Sequence, residues 1–190
     1  DGSTRHEAEV CGDRAIEFIS SHDGSRPFCL SVSFNSVHAE DSDLENHFPW
    51  PRAVDHLYVD TPMPRPRLDD PAVFESMPPF LKNSLNRQRY YWRWDTPEKY
   101  DRNMRAYFRM ISGVDRVIGR ILQALETHGL LENTVIIYSA DNGYYMGDRG
   151  FAGKWSHFEE SLRVPLIVRD PRFPSPHPGT VRSEMVLNID

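Results

Sequence analysis

A single stretch limits the possible folds more than any other. Thr96-Pro97-Glu98 combines three helix-start signals: a capping hydroxyl, a proline where an N–H has no partner anyway, and an acid in the first turn. From there Tyr107, Ile111, Val114, Ile118, Ile121, Leu122 and Leu125 recur at threes and fours, forming one apolar stripe that runs to about His128, where Gly129 stops it. Short apolar, β-rich runs flank this helix. Pro27-Phe28-Cys29-Leu30-Ser31-Val32-Ser33-Phe34 precedes it, Thr134-Val135-Ile136-Ile137-Tyr138-Ser139-Ala140 follows it, and Val164-Pro165-Leu166-Ile167-Val168 comes third. Runs of this kind, bounded by turn residues, predict buried strands. Strand, long helix, strand is the order of an α/β fold with a mainly parallel sheet flanked by helices. A first helix is expected over 6–21, with Val10, Ala15, Phe18 and Ile19 near one face, and Met185 to Asp190 reads as the start of another.

Residues 35–95 carry no such periodicity. The fifteen prolines of the chain crowd into 49–79 and 171–178, and arginines and aromatics fill the rest of the stretch, as in Tyr90-Tyr91-Trp92-Arg93-Trp94. Disordered segments are poor in aromatics, so a long ordered excursion over about 41–95, packing over a site, is the expectation. The segment 87–93 could line a pocket or simply pack on the core. Cys11 and Cys29 fit no zinc spacing, and Cys29, inside an apolar run, is expected in the core rather than in a disulfide. A net charge of −6 without a basic stripe argues against nucleic acid as a partner. No apolar run approaches the roughly 18 residues of a membrane span.

In open α/β sheets ligands gather outside the carboxyl ends of the strands. Two polar clusters fall there: Asn35-Ser36-Val37-His38 and Asp141-Asn142-Gly143. Asp141 and Asn142 offer hard oxygen donors suited to calcium or magnesium, although Asn-Gly is also a strong turn signal, and both readings can hold together. Lys154, after Gly150-Phe151-Ala152-Gly153, is either a solvated lysine or a point charge for an anion. His38 is either a structural histidine or a donor to an anionic oxygen. Glu159, Glu160 and Arg163 are expected to form local ion pairs. A Gly-x-Ser-x-Gly elbow and a glycine-rich nucleotide loop are both absent from the sequence.

Taken as an ordered set, these residues resemble the sulfatase family of the alkaline phosphatase superfamily. The likeness is strongest from Tyr107 to Pro171. It is carried by Tyr107-Phe108-Arg109-Met110-Ile111-Ser112-Gly113-Val114-Asp115, by Asn133 through Gly143, by Gly153-Lys154-Trp155, by Glu159-Glu160-Ser161-Leu162-Arg163-Val164-Pro165 and by Arg169-Asp170-Pro171. The resemblance implies an alkaline-phosphatase-like fold, with residues 1–190 as the central part of a catalytic domain cut at both ends. It implies hydrolysis of a sulfate ester, with Asp141 and Asn142 as metal ligands (usually Ca2+, with Mg2+ an alternative). Lys154 and His38 would contact the sulfate, His38 near the leaving oxygen. Family members carry a Cys/Ser-x-Pro-x-Arg motif whose first residue becomes formylglycine, the nucleophile. That motif is absent here, as are the paired N-terminal aspartates, and Val37 stands where a proline usually precedes the histidine. The resemblance therefore implies a chain that is inactive alone. A phosphoester or phosphonate ester hydrolase of the same superfamily, or a non-catalytic binder of sulfated glycans, are the alternatives. The expected partner is a sulfated small molecule or glycan, with no oligomeric state indicated. With no Asn-x-Ser/Thr sequon in the sequence, an exported bacterial protein is favoured over a lysosomal one.

Overall fold

The computed structural model describes residues 4–173 and 179–188. Its first helix, α1 (Glu7–Ser21), starts at His6, whose ring accepts the Ala8 N–H, and Glu7 and Glu9 complement the dipole of its first turn. The buried face is Ala8, Gly12, Ala15 and Ile19. Ala15 and Ile19 are on it as expected, but Val10 and Phe18 are exposed at its edge, where Phe18 packs edge-on against Phe28 at 5.7 Å. The reason is a close helix crossing. A Cβ on Gly12 would sit 2.4 Å from Val117 Cγ1, so only small residues fit at the contact.

The partner is α5 (Pro97–Thr127), capped by the Thr96 hydroxyl on the Lys99 N–H and ended by Gly129 at φ +67°. Its buried residues include Met104, Ala106, Met110, Val114, Val117 and Leu125, whereas Ile111 is exposed. The predicted stripe is otherwise kept: Val114 and Leu125 are buried and Tyr107, Ile118, Ile121 and Leu122 half-buried, with Ile111 the exception. α5 is apolar on two sides, and the side that faces α1 and the excursion is the one covered.

The excursion is ordered, as expected. It holds a 3-10 turn (Arg52–Val54), then α2 (Pro71–Glu75), α3 (Pro79–Lys82) and α4 (Leu85–Arg93), with proline at the start of α2 and α3. Its aromatics form the main core with α5: Phe48 meets Trp94 at 5.6 Å and Tyr107 at 5.8 Å between ring centroids, and Tyr100, Met104 and Met110 complete the cluster.

The strands depart most from expectation. β1 (Ile136–Ser139) pairs with β2 (Leu166–Arg169), in register Ile137 to Val168 and Tyr138 to Ile167, and the pairing is antiparallel. It is the only ladder among the described residues, so no parallel pair is formed there. Both strands are exposed rather than buried: Ile137 is 66% and Ile167 63% accessible. Residues 27–34 run extended, with Phe28, Leu30, Val32 and Phe34 half-buried and the residues between them exposed, but they join no ladder. Residues 27–34 have a helical cover on one side, where Phe34 packs on Ala8, Val114 and Val117, but no neighbouring strand among the described residues, and β1 and β2 have each other but little cover. Cys29 consequently sits exposed rather than in the core, and both cysteines are free thiols. Met185 to Asn188 are not helical, and Ile189 and Asp190 lie outside the described residues. No helix among the described residues is long and apolar enough to cross a membrane.

Candidate active site

The Asp141-Asn142-Gly143 segment leaves the end of β1. Gly143 is required by close approach. Its N–H donates to the Ser161 carbonyl at 2.8 Å, and a Cβ there would lie 2.3 Å from the Glu160 carbonyl oxygen. This fixes the two residues before it. The Asn142 N–H donates to Asp141 Oδ1 at 2.9 Å, and Asn142 Nδ2 donates to the Gly143 carbonyl at 2.7 Å. The amide NH2 is thereby spent on backbone. Asn142 Oδ1 and Asp141 Oδ2 have no hydrogen-bond partner among the described residues, and both residues line one cleft.

The cleft has a volume of about 310 Å3 and is lined also by Lys154, Trp155, Ser156 and His157. Ser161 and Leu162, from α6 (Glu159–Leu162), close its side. Lys154 is half-buried, and its ammonium makes no ion pair among the described residues. Its backbone is held firmly. The buried Asn86, on α4, donates through Nδ2 to the Lys154 carbonyl at 2.5 Å, while its own carbonyl accepts the Ala152 N–H at 2.9 Å. Arg87 donates to the Gly150 carbonyl at 2.8 Å. Tyr145 reaches back to Ser156, hydroxyl to hydroxyl at 2.7 Å, and burial pushes its phenol above the ordinary value, so it stays protonated. The excursion therefore braces the loop that carries the lysine.

Behind this brace lies an ion-pair cluster. Arg89 and Arg93 both donate to the Asp41 carboxylate, and Arg93 is 1% exposed. Burial alone would raise the Asp41 pKa, but the hydrogen bonds from Arg93 and Arg89 outweigh it and hold the carboxyl below its usual range. The arginines of the aromatic segment are thus engaged with protein groups. Glu159 pairs with Arg163 at 3.3 Å, as expected, but Glu160 pairs with Arg149 at 3.0 Å.

Of the residues expected from sequence, Asp141, Asn142 and Lys154 converge on this cleft. His38 is not among its lining residues. It is exposed, and its Nδ1–H donates to the Ala39 carbonyl at 2.8 Å, leaving Nε2 without a partner among the described residues. Trp155, Ser156, His157 and the supporting Asn86 were not anticipated. The run Lys154-Trp155-Ser156-His157 was a legible signal for three of them, but nothing local marked Asn86.

Two free oxygen donors of this kind fit a hard divalent cation, whose shell takes six to eight oxygens for calcium. They do not complete it, and no cluster of three His, Cys, Asp or Glu suited to a metal occurs among the described residues.

A sulfatase family model matches residues 3–189. An N-acetylglucosamine-6-O-sulfatase of Bacteroides thetaiotaomicron is 25% identical over 96% of this chain, which corresponds to 41% of that protein. Among solved structures, the yidJ protein of Bacteroides fragilis is 29% identical, with a TM-score of 0.61 over 87% of this chain and 31% of its own. BT4656, solved with its substrate D-glucosamine-2-N,6-O-disulfate, is 25% identical, with a TM-score of 0.54 over 90% of this chain and 44% of its own. The chain thus spans less than half the length of these relatives. On the match along nearly all its residues, it belongs to the sulfatase family and carries part of that family's alkaline-phosphatase-like α/β fold.

Proposed function

We propose that the protein containing these residues hydrolyses sulfate esters, with the cleft between Asp141 and Lys154 forming one side of its active site. The observation that carries this reading is the convergence of an unpaired lysine with two free hard-oxygen donors in one cleft, in a chain of the sulfatase family. On this reading residues 1–190 are the central part of a catalytic domain, and 41–95 is an insertion that braces the cleft.

A sulfate ester carries one negative charge, and its leaving oxygen gains more as the S–O bond breaks. Lys154, fixed through Asn86, meets the sulfuryl oxygens as a point charge in a partly desolvated setting, where it acts more strongly than in water. Asp141 and Asn142 would hold a divalent cation, calcium by preference, which when bound supplies further charge neutralisation at the same oxygens. His38, outside the lining of this cleft and with Nδ1–H on the Ala39 carbonyl, would pass a proton to the leaving oxygen from Nε2 only as the imidazolium, with a substrate long enough to reach it. The nucleophile, a formylglycine on the family pattern, has no counterpart motif in these residues. The names of these relatives favour a sulfated carbohydrate as substrate, and an exported setting is the expectation carried by the family resemblance.

The test uses the full-length protein with an aryl sulfate and an aryl phosphate, with calcium and with chelator. Sulfate turnover is expected to vanish with chelator, and Lys154→Ala is expected to lower kcat by on the order of 100-fold. Faster turnover of the phosphate would move the enzyme to the phosphoesterase branch and overturn the reading.

A further inference from the structure

The cleft has one apolar wall that the sulfate chemistry leaves unexplained. Trp155 directly follows Lys154 and is 59% exposed, a large indole left on the surface at the rim of the site. Its backbone is at φ +77°, a conformation that a bulky side chain rarely adopts. Gly153, two residues earlier, is at φ +100°, and a Cβ there would lie 2.7 Å from Asn86 Oδ1. The loop is thus held in a shape that presents the indole outward, although relaxing it would be locally favourable. Residues kept in such conformations concentrate at ligand-binding positions.

The ring is also braced. The Arg89 guanidinium carbon lies 4.5 Å from its centroid, and Arg89 cannot drift, because it is tied to Asp41 together with the buried Arg93. A cation on one side orients the ring through its quadrupole. What remains is a fixed, electron-rich aromatic surface beside an unpaired lysine.

We propose that Trp155 is a specificity-determining residue, the stacking platform for the pyranose ring of a sulfated sugar whose sulfate sits at Lys154. This rests on the sulfatase reading and deepens it. The C–H-bearing face of a pyranose is apolar and weakly electropositive, so it matches the negative face of an indole. Inorganic sulfate presents no such face and uses only the charges. Arg89 acts as a positioning residue for the ring.

The experiment measures binding of glucose 6-sulfate and of inorganic sulfate to the full-length protein by calorimetry, with chelator present so that the sugar sulfate is not turned over, for wild type, W155A and W155F. W155A should weaken the sugar sulfate at least tenfold and leave inorganic sulfate within about twofold. W155F, which keeps an aromatic face, should recover most of the lost affinity, a rescue that a merely structural role would not give. Equal sugar affinity in W155A and wild type would overturn the proposal. So would an equal loss for both ligands, which would mean the substitution acted through Lys154, and so would a wild type that holds the sugar sulfate no better than sulfate. If binding follows the expected pattern but no sulfate ester is turned over, the sulfatase reading fails while the stacking site stands.

Discussion

Two regions of this chain both carry large apolar side chains and behave in opposite ways. Around α4, α5 and the loop 144–153, Phe48, Trp94, Tyr145 and Phe151 are at most 3% exposed. In β1 and β2, Ile137, Ile167 and Val168 are more than half exposed. The packed region supplies its own partners, since the excursion folds back onto α5 and its side chains hydrogen-bond to loop carbonyls. The sheet region offers an apolar face with nothing from the described residues lying on it. The candidate site straddles the seam. Lys154 is pinned by the packed side through Asn86, whereas Asp141 and Asn142 leave the open strand β1. The lysine half of the cleft is therefore set by contacts seen here, and the half with Asp141 and Asn142, the proposed metal ligands, depends on a sheet with uncovered faces.

The sharpest way to break this contrast is to attack the packed side at its charge cluster. Asp41→Ala leaves the 1% exposed Arg93 without its carboxylate. Truncating one partner of a buried pair costs several kcal/mol, and because Asp41 itself is about one-third exposed, the expected loss is about 2–3 kcal/mol. Urea unfolding of the full-length protein at neutral pH measures it. A loss below about 0.5 kcal/mol, within the range of ordinary surface changes, would show that the cluster does not hold the region together.

A smaller effect comes from His47, which is fully buried beside this cluster and donates through Nδ1 to the Glu40 carbonyl at 3.0 Å. Burial lowers its pKa below the ordinary 6.5, with the nearby Arg93 acting the same way. The unfolded chain therefore takes up a proton at a higher pH than the folded one. The stabilisation is complete above pH 6.5 and is lost as pH falls through the folded value. The carboxylates, Asp41 among them, titrate lower, starting from 3.8, so the two windows separate. Between pH 7.5 and 5.5 stability should fall with a slope of at most about 1.4 kcal/mol per pH unit. His47→Gln should flatten that slope, as followed by the urea midpoint at each pH. An unchanged slope would assign the acid sensitivity elsewhere.

The same contrast explains what the sequence disclosed. α5 was readable because its signals are local: cap, first-turn proline, period and terminal glycine all lie within the element. The placement of Asp141, Asn142 and Lys154 around one cleft was readable because strand ends and glycine-flanked loops are local features too. The buried face of α1 was only partly readable because hydropathy favours large side chains such as Val10 and Phe18, while a close crossing selects Ala8, Gly12 and Ala15. Asn86 was hidden because its role is to hold a carbonyl 68 residues away. The exposure of β1 and β2 could not be read at all, since an apolar run specifies that a strand wants cover but not which part of the protein supplies it.

The smallest expected effect gives the most direct reading of that cover. Ile137 is 66% exposed on β1, so in the 190-residue chain Ile137→Ala should change stability by less than about 0.5 kcal/mol. Val117→Ala, at the 2% exposed contact with Gly12 of α1, should cost about 2 kcal/mol in the same chain. In a full-length protein, where the relatives are more than twice as long, a covered β1 would raise the Ile137→Ala cost to about 2–5 kcal/mol while leaving that of Val117→Ala unchanged. Chemical denaturation of both variants in both lengths of chain decides it. A large Ile137 effect in the 190-residue chain itself would mean that the sheet is covered after all, and the division between a packed and an open region would have to be given up. A small effect in both would mean that β1 stays uncovered, and that Asp141 and Asn142 are positioned by the Gly143 contact with α6 and by the Asn188 amide, which donates to the Asp141 carbonyl at 3.3 Å.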